Sequence, residues 1–172
     1  LIIILFIIMN VNQQTDKLIT PMKKPISTVS DIEIYNYLTN EKKLDRNKSL
    51  GILANIQAES NFKLDADEAG DGSQGIGLFQ HTFPTRKEGL LRKVPNYKTN
   101  WKGQVDYFLS EREAKSYLKR SFNTANEAAQ FLMEENLNPA KTITRNGKIV
   151  DLRKERTQKH DAYIAKFNKK FN

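Results

Sequence analysis

Residues 50–80 read LGILANIQAES, NFKLDADEAGDGSQ and GIGLFQ: an apolar helix ending on a carboxylate, an acidic loop, and a glycine-flanked return segment. On the helix, Ile52, Leu53 and Ile56 recur at the 3/4 spacing of a buried face, and at ~100° per residue Glu59 falls within about 20° of Ile52. A carboxylate therefore points along the apolar stripe. Apolar surroundings disfavour the ionised form and raise the pKa, which keeps a glutamic acid protonated near neutral pH and fits it for general acid catalysis. Glu59 is thus the candidate acid, set against the ordinary alternative of a solvated last-turn glutamate. Gly75 and Gly77 bracket Ile76 and lead into Leu78, Phe79 and Gln80, a pattern suited to backbone passing close to a ligand with a polar side chain at its end.

The loop between these segments imitates two other motifs. Gly70 to Gly75 matches G-x-G-x-x-G, but it follows a helix instead of a strand and carries Asp67, Glu68 and Asp71, which would repel a pyrophosphate. Asp65, Asp67 and Gly70 resemble the opening of a calcium loop, yet Ala69 takes the fifth position and Ile76 stands where the twelfth-position glutamate belongs. Dinucleotide and calcium readings both fail.

Outward from this stretch, the 172 residues suffice for one well-packed domain. There is no cysteine, and His81 and His160 show no H-E-x-x-H spacing, so neither disulfides nor a metal centre are expected. No cofactor is expected either. The formal charge of +8 draws the chain toward polyanions: nucleic acid, anionic membrane or the acidic polymers of a bacterial wall.

The first nine residues, LIIILFIIM, are too short for a membrane span and lack the flanks of a signal peptide. The preferred reading takes Met9 as the start; a truncated anchor is the alternative for Leu1 to Ile8. Residues 1–30 are read as this apolar run and a polar arm, and residues 31–172 as a single domain. Within it, Asp31 or Ser30 caps a first helix, and Thr85 to Glu88 opens a short helix through Leu91. Asn100 caps a long helix with Trp101, Val105, Phe108 and Leu109 on its core face, extended by Ala114 and Leu118. Thr124 to Glu127 forms a second capping box. Asn146-Gly147 between β-branched residues predicts a hairpin, and Asp151 caps a final basic helix.

Glu59-Ser60, a loop, and Gly75-Ile76-Gly77-Leu78-Phe79-Gln80 resemble the "ES … GLxQ" signature of goose-type lysozymes, soluble lytic transglycosylases and, most closely, phage tail lysozymes. Asn55 to Ser60, Asp71, Arg86, Trp101, Gln104 and Glu111 are similar to the last group as well. One departure is His81, where the family often has Trp, and it bears on the wall of the sugar-binding groove.

The resemblance implies an α+β, mostly α-helical, lysozyme-like fold, with a small β element around Leu64 to Gln80 flanking the active-site cleft. It implies that Glu59 protonates the β-1,4 bond between N-acetylmuramic acid and N-acetylglucosamine of peptidoglycan. Asp71 is the candidate second carboxylate, with Asp67 and Glu68 as runners-up, and Ser60, Gly75, Gly77 and Gln80 are candidate substrate contacts. A lytic transglycosylase using the same Glu59, with no second carboxylate, is the alternative. Phage tail or other virion proteins are implied partners, and the virion or the bacterial wall and periplasm the implied location.

The reading from another class is a basic helical nucleic-acid-binding protein. It rests on the net charge and on Arg153, Lys154, Arg156, Lys159, Lys166, Lys169 and Lys170 near the C-terminus. The acidic loop beside Glu59 opposes it, because a phosphate-binding groove would avoid those carboxylates and a glycosidase cleft requires them.

Overall fold

The structure, a computed structural model, describes residues 27–67, 75–82, 84–137 and 142–172. The expectations for Leu1 to Ile8, Met9, Glu68 and Asp71 lie outside the described residues.

From Ser49 to Ile56 every side chain is buried, so helix α2 (Arg46–Glu59) is a central helix enclosed on all sides. The sequence predicted an amphipathic stripe, but helices pack around the whole circumference. Asp45 accepts the Lys48 N–H at 2.9 Å and starts the helix four residues before the apolar run. Leu50, Ile52, Leu53 and Ile56 lose all contact with water, each worth about 1.5–3 kcal/mol of transfer free energy.

Around α2 stand α1 (Asp31–Asn36), α6 (Ala125–Leu137) and α7 (Leu152–Lys170). Ser30 caps α1 in a reciprocal box with Glu33, and a π turn over Tyr37–Glu41 continues it. The Asn55 amide ties α2 to α6 by donating to the Ala129 carbonyl at 3.2 Å. Gly51 admits α5 (Arg112–Lys119): a Cβ there would stand 2.6 Å from the Tyr117 hydroxyl, which donates to the Lys48 carbonyl at 2.7 Å.

Helix α3 (Pro84–Lys93) starts at its proline, whose missing N–H suits the first position, so Thr85 lies inside the helix and does not cap it. The long helix expected from Trp101 is two: α4 (Trp101–Ser110), capped by Asn100, and α5. Glu111 breaks it by taking an extended conformation, φ −69° and ψ 154°, with its carboxylate turned inward to Arg86. Thr124 accepts the Glu127 N–H at 3.1 Å, while the Glu127 carboxylate reaches one residue further back than a capping box requires, to Asn123.

Strands β1 (Thr142–Arg145) and β2 (Lys148–Asp151) form the antiparallel hairpin, with Thr142 opposite Asp151 and Arg145 opposite Lys148. Asn146 and Gly147 both take positive φ, 52° and 72°, as the tight turn demands. The class is mostly α-helical α+β, as expected. Around residues 64–80 the described β character is confined to single-residue bridges, Asp67 to Ile76 and Ile76 to His81. Residues 27–30 run back along this region: Val29 is buried and donates to the Phe62 carbonyl at 3.1 Å. Among the described residues, no helix is long and apolar enough to cross a membrane.

Candidate active site

A cleft of about 540 Å3 opens at the C-terminal end of α2, and Glu59, Ser60, Asp67 and Gln80 all line it. The last turn of α2 carries Glu59 out of the fully enclosed stretch, and the residue is half-buried. Ser60, buried, ends the helix: its N–H and its hydroxyl both bond the Ile56 carbonyl, at 3.0 and 3.1 Å. The chain then turns through Asn61 and Phe62 with φ of 50° and 63°, and Gln80 has φ of 44°. Such values are uncommon outside glycine, least so for asparagine. Asn61 and Gln80 line the cleft, while Lys43 and Asn146 take positive φ elsewhere.

Buried amides hold the return segment. Gln104 on α4 donates to the Leu64 and Tyr97 carbonyls at 2.9 and 2.7 Å and accepts the Leu78 N–H at 2.7 Å, so it staples three loops with every polar atom used. Gly77, at φ 75°, has no room for a Cβ because the Gln104 carbonyl oxygen occupies that space. Gly75 is equally filled, with Gln80 atoms 2.7–2.8 Å from its would-be Cβ. Neither glycine lines the cleft; the room left by their missing side chains is taken from within the protein.

Gln80 itself donates to the Gly77 and Ala66 carbonyls at 2.9 and 3.3 Å. This fixes its amide, and among the described residues its Oε1 is a buried acceptor with no partner. Phe79 anchors the same turn by stacking on Phe108 at 4.0 Å between ring centroids.

His81 is wholly buried and forms no groove wall. It packs edge-on against Tyr107, and its Nδ1 lies 3.5 Å from Glu111. Burial pushes its pKa down, against the opposing pull of Glu111. Arg86 forks across both Glu111 oxygens at 2.7 and 2.8 Å. Burial would raise the Glu111 carboxyl, but the two bonds from Arg86, helped by the nearby His81 imidazole, outweigh it and hold the group below its ordinary range.

The far wall of the cleft comes from α7: Arg156, Lys159 and His160, joined by Lys63 from the loop. The sequence reading gave Arg156 and Lys159 to phosphate contacts, set Arg156 also in a loose resemblance to the family's closing helix, and weighed His160 only as a metal ligand. Their i, i+3, i+4 spacing was the available signal that one helix face presents all three. Burial pushes the His160 imidazole down to about 4, with Asp161 opposing and Arg156 reinforcing the shift. It is therefore neutral at physiological pH. Among the described residues, no cluster of three His, Asp or Glu side chains could hold a metal ion.

Of the sequence-predicted residues, the fold brings Glu59, Ser60, Gln80 and the runner-up Asp67 together. Comparison with curated proteins and with solved structures finds no match. The model of a family described as phage tail lysozyme matches residues 31–148, from the first helix of the bundle to the first residue of β2. That stretch holds Glu59, Ser60, Asp67 and Gln80, and the chain belongs to the phage tail lysozyme family, whose lysozyme activity is directed at peptidoglycan.

Proposed function

We propose that the cleft is the active site of a muramidase whose general acid is Glu59, cleaving the β-1,4 bond between N-acetylmuramic acid and N-acetylglucosamine. The observation that carries this reading is the meeting of Glu59, Ser60, Asp67 and Gln80 around one cleft at the end of the central helix. Glycan filling the cleft would exclude water from the Glu59 carboxyl, and loss of water favours the protonated form of a carboxyl. The leaving group needs that protonated form. The proton passes to the glycosidic oxygen, the C1–O bond breaks, and positive charge develops on the muramic acid ring.

The other residues would orient the sugars. With Nε2 committed to two carbonyls and Oε1 turned toward Gly75, the Gln80 amide cannot turn, and it holds the floor of the cleft in place under the glycan. Ser60 retains lone pairs to accept a hydrogen bond from the glycan. In an inverting hydrolase a second carboxylate, roughly 6.5–9.5 Å from the acid, deprotonates the attacking water. Asp71 is the first candidate and Asp67, which lines the cleft, the second. In the alternative reading the 6-hydroxyl of muramic acid attacks C1 and closes an anhydro ring. Residues 31–172 would form the catalytic domain, delivered to the wall by the virion together with tail proteins or released there.

Mass analysis of muropeptides from purified peptidoglycan tests the reaction type. Reducing ends are expected, and replacing the true base, Asp71→Asn or Asp67→Asn, should cost about 10²-fold or more in rate. Anhydro ends, with both variants near wild type, would replace hydrolysis by transglycosylation.

A further inference from the structure

The helix that completes the cleft lies beyond the family match, which ends at residue 148, whereas α7 begins at Leu152. It is firmly seated. Phe167 packs edge-on to Phe62, Phe171 stacks on Tyr35 at 4.2 Å, Lys170 pairs with Asp31 at 2.6 Å, and Arg46 donates to Asn168 at 2.8 Å. One stripe of this helix therefore serves two ends. Ile164 and Phe167 enter the core, and one turn earlier Arg156, Lys159 and His160 face the cleft.

Arg156 and Lys159 bring two positive charges to the cleft that Glu59 lines, with Lys63 adding a third. Among the described residues neither Arg156 nor Lys159 is paired with a carboxylate, although Arg145 and Glu155 beside them pair with each other at 3.4 Å. Lys159 also lines a second, more open hollow of about 480 Å3 with Arg145, Glu155 and Gln158, so the groove continues along α7 past the cleft. At the base of the wall His160 is only 4% exposed, and its Nδ1 has no hydrogen-bond partner among the described residues.

A polysaccharide of acetamido sugars offers these cations hydrogen-bond acceptors but no counter-charge, since its hydroxyls and acetamides are neutral and the lactyl carboxyl of muramic acid is amidated by the stem peptide. The peptide, by contrast, carries free carboxylates within a few bonds of the scissile sugar. We propose that Arg156 and Lys159 form a subsite for a stem-peptide carboxylate, so that the cleft selects glycan bearing charged peptides. The inference rests on the reading of this cleft as the glycosidase site. Arg156, forked and always charged, is suited to hold a carboxylate through two bonds, and Lys159 supplies a point charge at the groove's continuation.

The test uses purified sacculi stripped of wall-polymer phosphates by hydrofluoric acid. Their carboxylates are either left native or converted to amides with carbodiimide and ammonia. At limiting substrate, the wild type should release muropeptides from native sacculi about tenfold faster than from amidated ones, a factor equivalent to ~1.4 kcal/mol. In Arg156→Gln/Lys159→Gln this ratio should fall to within about twofold, chiefly through apparent KM. Lys115→Gln/Lys119→Gln, which removes two exposed charges from α5, should keep the tenfold ratio.

The inference is overturned if the wild type ignores amidation, if the α7 double variant keeps the full preference, or if the α5 variant loses it equally. A preference seen only in sacculi that retain wall polymers would also overturn it, in favour of phosphate. Muropeptide release that Glu59→Gln lacks would preserve the glycosidase reading in all those cases. No release by the wild type would overturn both.

Discussion

At residue scale the most heavily committed charge lies behind the cleft and not in it. Glu111 is 8% exposed and takes both its hydrogen bonds from one guanidinium, which in turn has little access to water. Such a pair returns little net stability against two non-polar side chains, but removing one member strands the other. Arg86→Met should therefore destabilise the protein by about 3–5 kcal/mol, measured by urea unfolding, and Arg86→Met/Glu111→Leu should recover much of that loss. An Arg86→Met cost under about 1 kcal/mol would mean that Glu111 finds water or another donor. The place of Glu59 at the cleft was legible in the sequence because its signal is local: a charge at the end of an apolar helical run. The roles of Gly75 and Gly77 were not. Both glycines mark close approach, but the approaching groups are Gln80 and Gln104, and only the fold brings Gln104 there.

At the scale of elements, α2 governs the arrangement because it is buried all round, and its glycine sets how closely α5 can pack. A Cβ at Gly51 would collide with the Tyr117 hydroxyl and press on Ala128 and Ala129 of α6. Gly51→Ala should cost about 1–3 kcal/mol as overpacking. Tyr117→Phe alone should cost about 1 kcal/mol for the lost bond to Lys48. Thermal unfolding of the double variant should come out more stable than the sum of the two by at least about 0.5 kcal/mol, and strict additivity would place the clash elsewhere. Caps and turns were readable at this scale, since Ser30, Asn100, Asp151 and Asn146-Gly147 act through neighbours in sequence. The break at Glu111 was hidden because its cause, Arg86, is 25 residues away. The enclosure of α2 was hidden for the same reason, as no local period records helices that arrive later in the chain.

At the scale of the whole molecule, two buried neutral histidines set the acid limit of the fold. His160 titrates at about 4 in the folded chain against an ordinary value of 6.5, so below pH 6.5 the unfolded chain takes up a proton that the folded one refuses. Stability is thus full above pH 6.5 and falls as the pH drops toward 4, by about 3 kcal/mol for this residue at most. His81, also lowered by burial, adds a loss of the same sign, and Glu111, held low, adds another as it is protonated. Urea unfolding of His160→Gln across pH 4 to 7 should show a shallower slope than wild type; equal slopes would mean that His160 is already solvated. The net +8 charge should draw the enzyme to the anionic wall, and that attraction should weaken with salt. The central claim is that the end of α2 delivers the proton. Its most direct test is the rate of muropeptide release from purified sacculi by Glu59→Gln, alongside its melting temperature. A native melting temperature with a rate lowered about 10²-fold or more is the predicted result. A folded Glu59→Gln protein within a few-fold of wild-type rate would contradict it.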